Sequence, residues 1–159
     1  MADVVLDGRM NIWLVPTIPS IAAPVAATIA AGNAIEMLLT PEGMAGFEST
    51  TNWVNNSPLG GTFDTQLPGT ISFGDMALEF KWQSGTDAMW TLLQFTYETN
   101  VVVRRRLTRA TAIAATQQVE VYPITCGEYT PVPYERNSLA RFRIPIGLRD
   151  QPNLRAVVA

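Results

Sequence analysis

Apolar residues recur at every second position from Met76 to Trp82, within the segment 72–82 in the middle of the chain, while Phe73, Asp75, Ala77, Glu79 and Lys81 take the positions between. Side chains of a β-strand point to opposite faces with a period of two, so this alternation predicts a strand with one dry and one wet face. Two acids, Asp75 and Glu79, lie on the wet face. The dry face carries Met76, Leu78, Phe80 and Trp82.

A short helix and a second strand are predicted directly after this strand. Residues 84–87 break the alternation, and Thr86 or Asp87 can cap a helix by accepting hydrogen bonds from its free amides. Apolar residues at helical spacing place the helix at residues 87–95. Residues 101–107, Val-Val-Val-Arg-Arg-Arg-Leu, are typical of a strand with a charged end. The segment 69–108 is therefore the predicted packed nucleus of the fold.

Further strands are predicted at residues 11–15, 117–126 and 139–146. Pro123 has no amide hydrogen, so we expect its strand to be an edge strand or to carry a bulge. Residues 28–39 fit either a short helix or a strand entered after a turn, and the pattern leaves both open. The predicted fold class is mainly β with one central α-helix.

Residues 40–69 are the most turn-rich part of the chain and are predicted to form a long loop. This segment nevertheless contains large aromatic side chains, among them Phe47, Trp53 and Phe63. Long connections in compact domains are uncommon unless they have a function, and exposed aromatics suit a surface that a partner buries. The alternative is that these rings fold back onto the core of their own domain.

The chain of 159 residues is predicted to be a single domain with a short apolar C-terminal tail at residues 150–159. We expect that tail to dock either on a neighbouring molecule or in a sheet. Prolines interrupt the apolar N-terminal region, so neither a signal peptide nor a membrane span is predicted.

The chain has no histidine and one cysteine, Cys126, which limits the chemistry available to it. A single cysteine excludes an internal disulfide, and the absence of histidine removes the usual general base and the commonest metal ligand. No phosphate-binding glycine loop or nucleophile elbow is present. We therefore expect no enzyme activity, no cofactor and no metal.

Charge is distributed unevenly along the sequence. Residues 1–100 hold ten acids and two bases, whereas residues 101–159 hold four acids and nine arginines. Surfaces of opposite sign can bring copies of a chain together, although both halves can also interleave within one fold. In a strand, Arg104 and Arg106 point to one face and Arg105 to the other, which suits pairing between subunits better than nucleic-acid readout.

Several stretches, in order along the chain, are similar to one protein family. They are Ile-Trp-Leu-Val-Pro-Thr-Ile at 12–18 with Ala-Pro at 23–24 and Ala-Gly at 31–32, Pro-Gly-Thr-Ile-Ser-Phe at 68–73, and Val-Tyr-Pro-Ile-Thr-Cys-Gly at 121–127 running into 140–146. With the central helix between them, the chain resembles the major tail (tail tube) proteins of long, non-contractile-tailed bacteriophages.

This resemblance implies a β-sandwich or small barrel whose copies form hexameric rings that stack into a tube. Double-stranded DNA would pass through the lumen without sequence-specific binding, and the partners would be other copies, other tail proteins at the tube ends, and no membrane. The protein would be made in the host cytoplasm and end in the virion. An acidic lumen would repel DNA, so the candidates for facing it are Asp75 and Glu79. The candidate contacts between subunits are Phe47, Trp53, Phe63, Arg104, Arg106 and Val157.

Two other classes of protein fit the same features. One is another virion component, such as a tail terminator or a capsid decoration protein. The other is a β-sandwich carbohydrate-binding module, which would be a monomer with aromatic side chains lining one concave face. The tube interpretation instead predicts that the exposed aromatics become buried between copies.

Overall fold

Strands dominate the computed structural model, which describes residues 7–133 and 135–159. Two short helices accompany them: α1 at Ala26–Ala30 and α2 at Ala88–Leu92. The strands are β1 Asn11–Val15, β2 Asn33–Ala34, β3 Leu39–Ala45, β4 Ser49–Asn55, β5 Gln66–Phe73, β6 Ala77–Lys81, β7 Glu98–Arg104, β8 Gln118–Cys126, β9 Thr130–Pro131, β10 Arg141–Leu148 and β11 Asn153–Val157.

Nine of the strands form one antiparallel sheet in the order β2-β1-β7-β8-β10-β6-β3, with β11 beside β8 and β9 beside β10. Ile12 of β1 and Leu39 of β3 share one hydrophobic core although their strands lie near opposite ends of that order. The sheet therefore curls into a half-barrel around this core, and the predicted mainly β class is confirmed.

The central strand β7 is buried on both faces. Val101 and Val103 point into the main core, whereas Val102 points into a second core with Ile29 of α1 and Val158 near the C-terminus. Consecutive β-branched residues suit this position, because a strand covered on both faces has no need for polar alternation.

The alternation at residues 72–82 spans two strands rather than one. β5 ends at Phe73 and β6 begins at Ala77, with Gly46 packed against the link: a Cβ there would lie 2.3 Å from the Asp75 carbonyl oxygen. Gly46 also has φ +75°, which glycine adopts without strain. The dry face is confirmed for β6, since Leu78 and Phe80 are buried in the main core.

The central helix is present but shorter than predicted. Asp87 precedes α2, and its Oδ1 accepts hydrogen bonds from the amides of Met89 at 3.1 Å and Trp90 at 3.0 Å. This confirms Asp87 as the N-cap. For residues 28–39 both open alternatives are realised in part, because α1 ends at Ala30 and β2 follows at Asn33.

The strand that contains Pro123 is central, not an edge strand. Its neighbour on one side changes from β10, which pairs at Ile124, to β11, which pairs at Val121. The Pro123 carbonyl accepts from the Arg149 amide at 3.0 Å. The nitrogen and the carbonyl of one strand residue point to the same side, so the Pro123 nitrogen, which has no hydrogen to donate, faces the place where β10 is replaced by β11. The missing donor therefore costs the sheet no ladder hydrogen bond.

The predicted long loop at residues 40–69 contains β3, β4 and the start of β5. The C-terminal tail also has regular structure, because β11 pairs with β8 in the chain's own sheet. Of the helices in residues 7–133 and 135–159, none has the length and hydropathy needed to cross a membrane.

Candidate assembly surface

The most exposed apolar surface belongs to the β4–β5 hairpin. Its two strands pair with each other and with no other strand of the described chain. Trp53 is 60% exposed and Phe63 is 79% exposed, values unusual for aromatic side chains. The other large apolar side chains exposed on the hairpin are Val54, Leu59, Leu67 and Ile71.

One face of the hairpin carries an apolar stripe that starts in the core. Ser49 pairs with Phe73, Thr51 with Ile71, and Trp53 with Pro68, so the side chains of these pairs lie on one face. The ring of Phe73 packs edge-on against Tyr122, with 6.2 Å between centroids. We call Phe73, Ile71 and Trp53 the apolar stripe, and it leads from the domain core out along the hairpin.

A bulge at Gly69 decides which face the outer part of β5 presents. The register shifts between Thr51 and Trp53, so that Gly69 and Thr70 both lie opposite Asn52. A Cβ at Gly69 would lie 2.8 Å from the Asn52 carbonyl oxygen, which explains why glycine occupies this position. If the register of the Thr51–Ile71 pair continued without a bulge, Leu67 would pair with Asn55 on the face of Trp53; with the bulge it pairs with Val54 on the opposite face.

The hairpin tip, residues 56–65, is ordered by polar contacts. The Asn55 carboxamide oxygen accepts from the Ser57 amide at 2.7 Å, and the Ser57 hydroxyl accepts from the Thr65 amide at 2.8 Å. Leu59 and Phe63 take no part in these contacts and extend into solvent. The turn therefore presents two large apolar side chains from a fixed backbone.

Phe47 does not belong to this exposed surface, contrary to the prediction. It is 8% exposed, and its ring packs edge-on against Tyr122 with 5.0 Å between centroids. Trp53 and Phe63 are exposed, as a contact between subunits requires, while Phe47 is a core residue of its own chain. All three lie in turn-rich sequence, so composition did not distinguish the buried Phe47 from the exposed Trp53 and Phe63.

Arg104 is also internal, which corrects its assignment to a contact between subunits. It is 1% exposed and donates hydrogen bonds to Asn11 Oδ1 and Gln117 Oε1, both at 2.8 Å. It donates further to the carbonyl oxygens of Thr108, Thr111 and Ala112. Burial lowers the pKa of its guanidinium, an effect that the charge of Glu36 opposes. Arg104 therefore holds the loop after β7 against β1.

The remaining predicted contact residues lie on the surface. Arg106 is exposed and donates to Gln118 Oε1 at 2.9 Å, whereas Arg105 forms an ion pair with Glu120 at 2.8 Å. Val157 is half-exposed on β11, between the buried Ala156 and Val158. The tail is thus part of the sheet and does not extend as a free arm.

The two predicted lumen residues have different surroundings. Asp75 is exposed in the link before β6, while Glu79 forms an ion pair with Arg141 at 3.1 Å. The register places Lys81 and Arg143 on the same sheet face as Glu79. The wet face of β6 and β10 is therefore of mixed charge, not acidic.

A groove lies beside the base of the hairpin. One part of it, a cavity of about 430 Å³, is lined by arginines that include Arg106 and Arg155. The adjoining part, of about 490 Å³, is lined by Ile71 and Phe73 of the hairpin base, and Leu154 borders both parts. Sequence reasoning missed this groove because it joins β5, the end of β7, and the β10–β11 connection, which are distant along the chain.

A second aromatic surface lies at the end of β6, the strand whose beginning follows the hairpin. Trp82 and Trp90 are 6.0 Å apart between ring centroids, Trp90 and Tyr129 are 6.1 Å apart, and all three are partly exposed. Across residues 7–133 and 135–159, no group of three or more acidic or cysteine side chains is placed to hold a metal ion.

The chain is similar to proteins of phage tails. The model of the family described as "Phage tail tube protein" matches residues 1–159. No curated protein matches the sequence.

The fold is similar to a chain of the anti-feeding prophage baseplate, solved with 6-fold symmetrisation, at 12% identity and a TM-score of 0.61, covering 94% of this chain and 95% of that one. It is also similar to a chain of the tube terminating cap of the same prophage, at 11% identity and a TM-score of 0.59, covering 96% and 91%. The chain therefore belongs to the phage tail tube protein family.

Proposed function

We propose that this protein is the repeating subunit of a phage tail tube: copies form hexameric rings, and the rings stack into a conduit for the genome. The observation that carries this proposal is the β4–β5 hairpin, which leaves the domain with apolar side chains exposed on both faces. Membership of the tail tube family supports it, and a structural role in that family agrees with the expectation that the chain is not an enzyme.

The hairpin gains more from a partner than any other described element does. A two-stranded hairpin alone is marginally stable in water, and each large apolar side chain that becomes fully buried contributes about 1.5–3 kcal/mol. The apolar stripe holds two such exposed side chains, Trp53 and Ile71. Burial of these side chains between copies would stabilise both the hairpin and the assembly.

The six-fold arrangement is supported by the baseplate neighbour, which was solved with 6-fold symmetrisation. That neighbour and the cap share only the fold with this chain; one is part of the anti-feeding prophage baseplate and the other of the cap that terminates its tube. Partners in the tail are then other copies and the proteins at the ends of the tube. Assignment to a long, non-contractile tail rests on the sequence resemblance, as does synthesis in the host cytoplasm.

For the lumen we propose the wet face of β6 and β10. Strand faces that point away from the core and carry charged side chains suit a water-filled channel, and this face holds Glu79, Lys81, Arg141 and Arg143. Because Arg141 neutralises Glu79, the unbalanced charges on this face are Lys81 and Arg143, and DNA would meet a weakly cationic surface rather than a repulsive wall. Attraction of this kind does not depend on base sequence and weakens as the salt concentration rises.

A carbohydrate-binding module is the weaker alternative. It predicts exposed aromatics gathered on one concave face, but here they are divided between the hairpin, with Trp53 and Phe63, and the distant patch of Trp82, Trp90 and Tyr129. Family membership also favours a virion component.

The stripe can be tested with the double variant Trp53→Thr/Ile71→Thr, because threonine keeps β-propensity while it removes apolar area. We expect the variant to remain folded by circular dichroism and to lose tubes and rings in negative-stain electron microscopy. Tubes at wild-type protein concentration would contradict the proposed role of the hairpin.

The matched control is Val54→Thr/Leu67→Thr, which removes apolar area from the opposite face of the same hairpin. We expect a smaller loss of assembly in this control, since its face is not continuous with the core. Equal loss in both variants would assign the contact to the whole hairpin rather than to the stripe.

A further inference from the structure

We propose that the groove beside the hairpin base binds the hairpin tip of a second copy. We call it the receiving groove and define it by Arg105, Arg106, Arg155, Leu154 and Ile71. This inference rests on the proposed tube function and deepens it, because it names the surface that receives the exposed hairpin.

One end of the groove is cationic, and acidic residues of the same chain balance only part of its positive charge. Glu120 forms an ion pair with Arg105. Arg106 bonds only the neutral Gln118, and the Arg155 guanidinium has no carboxylate within ion-pair distance among the described residues. Two arginine side chains are therefore available for an acid from outside, and arginine is favoured at interfaces for its planar set of donors.

The other end of the groove is mainly apolar. Leu154 is partly exposed where the two parts meet, and Ile71 and Phe73 form the wall on the hairpin side. Asp150 lies at this end, where its carboxylate accepts from the Gln151 amide at 2.7 Å. An occupant of the groove thus needs one acidic group beside large apolar side chains.

The hairpin tip has this chemistry. Phe63 and Asp64 are adjacent in sequence, Leu59 lies across the turn, and all three are exposed. Asp64 has no ion pair within the described chain. Residues 49–73 contain no lysine or arginine and one acid, Asp64, so the only charged side chain of the hairpin is opposite in sign to the cationic end of the groove.

The tip cannot fill the groove of its own chain. Strands of seven and eight residues extend the hairpin by roughly 20–25 Å at about 3.3 Å per residue. Gly69 is the residue of the groove wall nearest the tip along β5, so roughly 10 Å of extended strand leads away from the groove to the tip. The occupant must then be another copy, and a contact between two different surfaces can close a ring or extend a filament.

Charge exchange between tip and groove tests this pairing. Asp64→Arg alone and Arg106→Glu/Arg155→Glu alone should each raise the concentration needed for assembly about tenfold at low salt. The triple variant restores opposite charges and should assemble within about threefold of the wild type. The protein concentration at which light scattering begins is the measurement.

A matched control combines Asp64→Arg with Arg143→Glu, since Arg143 is exposed but lies outside the receiving groove. This combination should not recover assembly. If the triple variant assembles no better than the worse of its parents, or if the Arg143 control recovers equally, the groove is not the receiving surface.

Cross-linking gives a second readout. Copies with Phe63→Cys and copies with Leu154→Cys are mixed and treated with a bifunctional maleimide, while the native Cys126 stays buried. We expect cross-linked dimers in the mixture and none in either population alone. If every charge variant forms tubes at the wild-type concentration and no cross-link forms, the groove assignment is wrong while the proposed tube function still stands. A wild-type chain that remains monomeric at every concentration would overturn the proposed function and this inference with it.

Discussion

Strand β7 and the β4–β5 hairpin belong to one chain but depend on different partners. The valines of β7 are buried on both faces, so everything this strand contacts comes from its own chain. The hairpin strands are exposed on both faces over almost their whole length. Stability of the domain therefore rests on β7 and its neighbours, whereas the hairpin contributes little to it and is free to serve assembly.

The same difference separates two phenylalanines that lie close together in sequence. Phe47→Ala should lower the free energy of unfolding by about 3–5 kcal/mol, because it removes a buried ring from the contact with Tyr122. Phe63→Ala should change it by no more than about 0.5 kcal/mol and instead weaken assembly. Urea denaturation of the unassembled chain measures the first effect, and electron microscopy measures the second. Equal losses of stability would remove the distinction between the two regions.

The two arginines at the end of β7 offer a second, smaller contrast. Arg104→Ala should cost about 3 kcal/mol, since it leaves the buried Asn11 Oδ1 and the loop carbonyl oxygens of Thr111 and Ala112 without their donor. Arg106→Ala should stay within about 0.5 kcal/mol because its side chain is exposed. Thermal unfolding of both variants decides between them. If the Arg104 variant were as stable as the Arg106 variant, the hydrogen bonds of Arg104 would not be needed to hold the loop after β7 against β1.

The smallest effect concerns thiol reactivity. Burial raises the pKa of Cys126 to about 11, so its thiol should remain protonated and unreactive toward a thiol reagent at pH 8. Since the folded pKa exceeds the ordinary value of 9.0, stability should fall as the pH rises from 9 toward 11, where only the unfolded chain releases the proton. A cysteine introduced at the hairpin tip by Thr62→Cys should react at once. Rapid labelling of Cys126 in the folded wild type would contradict its burial.

Local patterns were sufficient wherever one face of an element meets the core. The alternation in β10 places Phe142, Ile144 and Ile146 inside, and Asp87 caps α2 as its position predicts. These features depend on a period of two or on one side chain bonded to nearby amides, so a short stretch of sequence contains all the information. The order of such features also carried the resemblance to tail tube proteins.

Prediction was wrong where several segments share an environment. Turn-rich residues around Phe47 and Trp53 predicted a loop, but cross-strand pairing makes most of this segment strand. The alternation of Arg104 and Arg106 predicted a shared face, yet the chain leaves the strand after Arg104 and its loop closes over that side chain. Residue types and their spacing predict to which face of its own strand a side chain points, but not which other segments cover that side chain.

The sequence by itself determined the mainly β class, the central helix, the absence of histidine chemistry and the acidic character of residues 10–80. Only the tertiary structure decided which aromatic rings lie inside, that the C-terminal tail joins the sheet, and that the arginines after β7 and on β11 meet the hairpin base in one groove. The physical reason is that burial and charge balance are set by strands paired across long sequence separations, which a local pattern does not specify.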